Sequence, residues 1–73
     1  MQIDTLIRMG HEIARNNAAL PHDQAVERVA RHLRSFWAPA MIAELEAFAA
    51  IEPERLDPVL REALSELADR RNR

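Results

Sequence analysis

A chain of 73 residues with ten basic residues, twelve carboxylates, a net charge of −2 and no cysteine excludes several classes of protein at once. One small domain over residues 1–73 is expected; a core of that size rarely supplies more than roughly 3–5 kcal/mol without a staple or a partner, and disulfides are excluded as the staple. All the basic residues are arginine and carboxylates outnumber them, which argues against a general nucleic-acid or membrane-surface binder.

Local propensity points to helix almost throughout. Glycine occurs once and tyrosine never, while alanine, leucine, glutamate and arginine dominate. Prolines at 21, 39, 53 and 58 divide the chain, because proline ends a preceding helix yet suits the first turn of the next. The expected fold is all-α: a small bundle of four helices at about 4–17, 22–37, 39–50 and 57–70.

The first helix, with Asp4 as its cap, carries Leu6, Ile7, Gly10, Ile13 and Ala14 on one side and Arg8, Glu12 and Arg15 on the other. Gly10 lies inside the apolar stripe, where the missing side chain lets another helix or an aromatic ring approach. In the second helix Val26, Val29, Ala30, Leu33 and Phe36 repeat at helical spacing, with Arg28, Arg31 and Arg34 opposite. Ala38-Pro39 forces a corner, since the residue before a proline is disfavoured in helical geometry.

Phe36 and Trp37 are adjacent and point about 100° apart on a helix, so only one of them can take a central core position. A large ring at Trp37, beside Pro39, plugs the corner or anchors a partner, with packing favoured. The third helix buries Met41, Ile42, Leu45, Phe48 and Ala49, and presents Ala40, Ala43, Ala47 and Ala50 on its other side. After the polar linker Glu52–Arg55, Leu56-Asp57-Pro58 supplies a staple residue, a cap and a first-turn proline. The last helix buries Leu60, Ala63, Leu64 and Leu67 and ends in Arg70, Arg71 and Arg73, which complement its dipole.

The N-terminus lacks the basic-then-apolar layout of a signal peptide, and the longest apolar run, Phe36 to Ala43, is too short to span a bilayer. A cytoplasmic location is expected. One glycine within a helix cannot form a phosphate-cradling loop. Thr5, Ser35 and Ser65 sit in no setting that would activate a hydroxyl nucleophile. His11, His22 and His32 are too scattered for a metal pair on one helix face, and His32 is expected to pack or hydrogen-bond beside Phe36. No catalytic, metal-binding or cofactor-binding residue is therefore assigned.

The stretch His32-Leu33-Arg34-Ser35-Phe36-Trp37-Ala38-Pro39-Ala40-Met41 resembles the signature of the delta subunit of NAD-dependent formate dehydrogenases. The opening Ile3–Ala14 and the segment Leu56–Leu64 are similar to that family's first and last helices. Two positions depart from the family pattern: Ala38, where an aspartate precedes the proline, and Ala40, where an arginine precedes the methionine.

The resemblance implies a non-catalytic accessory subunit of a soluble hetero-oligomer, docked on the large catalytic subunit and supporting assembly, stability or cofactor retention. Other subunits would carry the molybdenum or tungsten pterin, the iron–sulfur clusters, FMN and the NAD site. His32, Arg34, Phe36, Trp37, Pro39 and Met41 are the expected partner-binding residues, with no nucleic acid or membrane involved. The rival expectation is a small regulatory or adaptor protein. It would be homodimeric through the alanine face of the third helix, or weakly nucleic-acid binding through Arg28, Arg31 and Arg34.

Overall fold

The structure, a computed structural model, describes residues 2–72. Helices α1 (Ile3–Asn16), α2 (His22–Phe36), α3 (Pro39–Ile51) and α4 (Pro58–Arg71) follow in order, with a 3₁₀ turn, Pro53–Arg55, between the last two. No strand occurs among the described residues. The four-helix, all-α expectation is met. The polar segment Glu52–Arg55, expected to be a linker, is wound into that turn over Pro53–Arg55, with the Arg55 guanidinium 5.3 Å from the Phe48 ring centroid.

α1 begins one residue earlier than expected, and Asp4 is not its cap. Gln2 takes that position, with its carbonyl accepting from the Thr5 and Leu6 amides and no side-chain bond formed. Starting at Ile3 brings that side chain into register with Leu6, Gly10 and Ala14, so it packs on the core. Asp4 instead lies in the first turn, where a carboxylate complements the helix dipole. At the other end the Asn17 side-chain amide donates to the Ile13 carbonyl at 2.9 Å and satisfies one of the orphaned terminal acceptors.

The largest fully buried side chains are Leu6, Val29, Leu33, Leu45 and Leu60, so every helix contributes to one centre. Each such leucine contributes about 1.5–3 kcal/mol by leaving water. α2 and α4 make the broadest helix contact. Ala25 and Ala30 of α2 and Ala63 of α4 are buried, small side chains that suit a close approach.

Gly10 explains how α1 is seated. A methyl group there would stand 2.8 Å from Leu60 Cδ2 and 3.5 Å from Leu45 Cδ2, so the glycine makes room for α4 rather than for an aromatic ring. The radius of gyration, 11.1 Å, matches the roughly 11 Å of a fully folded chain of this length. Among the described residues, only Phe36 and Ile51 are large hydrophobic residues left exposed. The alanine side of α3 is open, with Ala40, Ala43, Ala47 and Ala50 all exposed.

Candidate docking surface at the α2–α3 corner

The corner is built by three consecutive residues with different duties. Trp37 leaves the helix in an extended conformation while its amide still donates to the Leu33 carbonyl at 2.9 Å. Ala38 is extended too, as its proline neighbour requires, and Pro39 opens α3. Ala38 has no side chain able to cap the first amides, and the first turn of α3 holds no acid. The positive end of the α3 dipole is thus left uncompensated beside the corner.

The aromatic pair separates in the opposite sense from the expected stripe. Phe36, placed by periodicity with Leu33, is 76% exposed, whereas Trp37 is 7% exposed and joins the core. Val26, Val29, Ala30, Leu33 and Trp37 form the inward stripe, because a step of four residues turns only about 40° from the starting direction and a step of three about 60° the other way. The Phe36 ring rests on His32, with centroids 4.9 Å apart and planes tilted by 47°. His32 packs beside Phe36 as expected.

Of the six expected partner-binding residues, Phe36, His32, Arg34 and Pro39 are exposed and Met41 is half-buried. Trp37 is an internal support for that surface and cannot protrude from it. Two depressions flank the corner. One, of about 320 Å³, has Trp37, Pro39, Ile42 and Leu67 as its floor and Arg34, Arg70 and Arg71 around it. The other is lined by Arg28, Arg31, His32, Ser35 and Phe36.

The arginine face expected on α2 is therefore divided. Arg28 and Arg34 are six residues apart, about 120° around the helix, which places them in different depressions. Arg31 is held by Glu27 at 3.6 Å, the i,i+4 pair that the sequence allows. Sequence reasoning missed the part of Arg70 and Arg71 in the first depression. It treated them as dipole partners only, and nothing local announces that the end of α4 returns to the end of α2.

The other two histidines hold elements together. His11 accepts the Asp57 amide at 3.1 Å through Nε2, joining α1 to the start of α4, and His22 pairs with Glu62. Both line a wide groove of about 720 Å³ in which Arg15, Arg55, Glu54 and Asp57 mix the two signs of charge. Among the described residues no group of three or more histidines or carboxylates is placed to hold a metal ion. No helix there is long and apolar enough to cross a membrane.

A family model described as NADH-dependant formate dehydrogenase delta subunit FdsD matches residues 5–64. The chain belongs to that delta-subunit family. No curated protein and no solved structure matches it. The matched span of this delta subunit contains most of α1, all of α2 and α3, the corner, and the first half of α4. Residue 38 is the N-cap of α3, so an aspartate there would accept hydrogen bonds from the first amides, a capping role that Ala38 cannot fill.

Proposed function

We propose that this delta subunit is a non-catalytic accessory subunit of a cytoplasmic, NAD-dependent formate dehydrogenase complex, and that it docks on the large catalytic subunit through the α2–α3 corner. The observation that carries the reading is the exposure of Phe36 within the stretch His32–Met41, inside the span matched by the family. A solvent-facing phenylalanine is the kind of aromatic anchor that interfaces bury. His32 supports the ring, Trp37 fixes the corner from beneath, and Arg34 and Pro39 line the neighbouring depression.

In this reading the molybdenum or tungsten pterin, the iron–sulfur clusters, FMN and the NAD site reside on the partner subunits. This chain acts by stabilising or assembling the complex, or by retaining its cofactor. The test is to express the remaining subunits with and without this chain and to measure assembled complex, bound molybdenum or tungsten, and formate-dependent NAD reduction. Loss of assembly or of metal content without the chain is expected, with activity per bound metal preserved. Full assembly and full metal content in its absence would contradict the accessory role.

A further inference from the structure

The depression beside the corner has an unusual charge arrangement for a chain of net charge −2: every ionisable residue that lines it is an arginine. Arg34 reaches it from the last turn of α2, and Arg70 and Arg71 from the last turn of α4. Its floor is apolar, formed by Trp37, Pro39, Ile42 and Leu67. The uncapped N-terminus of α3, opened by Pro39, adds positive potential of its own.

The three guanidinium groups are not equally occupied. Arg71 holds Glu46 with one nitrogen, at 2.6 and 2.7 Å from the two carboxylate oxygens. Arg70 lies 3.5 Å from Glu66, and Arg34 has no carboxylate within ion-pair distance among the described residues. A guanidinium presents five donors in a planar fork, so Arg34 and Arg70 keep most of their capacity for a further carboxylate. The Arg71–Glu46 pair fixes the end of α4 against α3, which holds the rim in place.

We infer that this groove takes an acidic segment of a partner subunit, with one apolar side chain on the Trp37–Leu67 floor and an adjacent aspartate or glutamate clasped by Arg34 and Arg70. The inference rests on the docking reading above and names the chemistry of the contact. An apolar centre edged by forked cations is matched by an apolar residue next to a carboxylate, and neither part alone uses the whole site.

The absence of lysine makes the contact directly testable. Arg34→Lys places a single side-chain amine in the groove, and a zero-length carbodiimide couples an amine only to a carboxylate that touches it. In the assembled complex, Arg34→Lys is expected to couple to an aspartate or glutamate of another subunit, located by mass spectrometry. Arg8→Lys, on the exposed side of α1 and lining neither depression, serves as the control and is expected to give no such product. In parallel, Arg34→Gln with Arg70→Gln is expected to lower retention of the chain in the complex about tenfold, with the isolated chain still folded by circular dichroism.

Coupling of Arg34→Lys only within its own chain, or not at all, in a complex that still contains this subunit would overturn the groove while leaving the docking reading intact. Coupling from Arg8→Lys instead would do the same. If the wild-type chain fails to associate with the other subunits, the docking reading and the groove fall together.

Discussion

Two of the four helices start with the same short phrase, and the difference between them separates the part of the molecule that is finished from the part that is open. At α4 the phrase is Leu56-Asp57-Pro58 and at α3 it is Trp37-Ala38-Pro39; each has a buried apolar residue, a cap position and a first-turn proline. Asp57 accepts from the Val59 and Leu60 amides at 2.8 and 3.4 Å, while its own amide donates to His11. That junction has its hydrogen-bonding groups paired and is locked to α1. Ala38 offers no equivalent, and around it stand exposed Phe36, exposed Pro39 and the arginine-edged groove. One junction is saturated from within the chain, and the other keeps capacity for something outside it.

Substitutions at the two junctions break or sharpen this contrast. Trp37→Ala and Leu56→Ala each remove the buried anchor of one of them and cost about 2–5 kcal/mol, comparable with the whole stability of so small a domain. Both are expected to abolish the cooperative thermal transition seen by circular dichroism. The two junctions are alike in this respect, which makes Trp37 a poor probe of docking.

Asp57→Ala removes the cap and is expected to lower stability by about 1–2 kcal/mol in denaturant titration. Gly10→Ala gains about 1 kcal/mol in helix propensity but forces the fully buried Leu60 aside. Overpacking of about 1–3 kcal/mol outweighs that gain, so a net loss of about 1 kcal/mol is expected in the same titration. Ala38→Asp runs the other way: by giving α3 the cap that α4 already has, it is expected to raise stability by about 1 kcal/mol. On a domain this size that is a rise of about 4–8 °C in melting temperature.

The regular elements were legible because their signals are local. Proline positions set the divisions, and apolar spacing set the inward faces of α1, α3 and α4. The stretch His32–Met41 carried the family resemblance by its fixed offsets of aromatic, proline and methionine. The outward turn of Phe36 was hidden, because the chain leaves α2 at that point and either ring satisfies the helical period within tolerance. Only packing against the other helices decides for Trp37. The meeting of Arg34 with Arg70 and Arg71, the His11–Asp57 bond and the fit of Leu60 into the Gly10 gap join residues far apart in sequence, so no local pattern announces them.

Phe36 separates folding from docking more cleanly than any other residue, since its ring is mostly in water and contributes little to the core. Phe36→Ser is expected to change the stability of the isolated chain by less than about 0.5 kcal/mol, as for other surface substitutions. The decisive measurement pairs that stability with the fraction of the chain recovered bound to the other formate dehydrogenase subunits. An unaltered melting curve with most of the bound fraction lost is the expected result. An unaltered melting curve with the bound fraction fully retained would contradict docking through the α2–α3 corner.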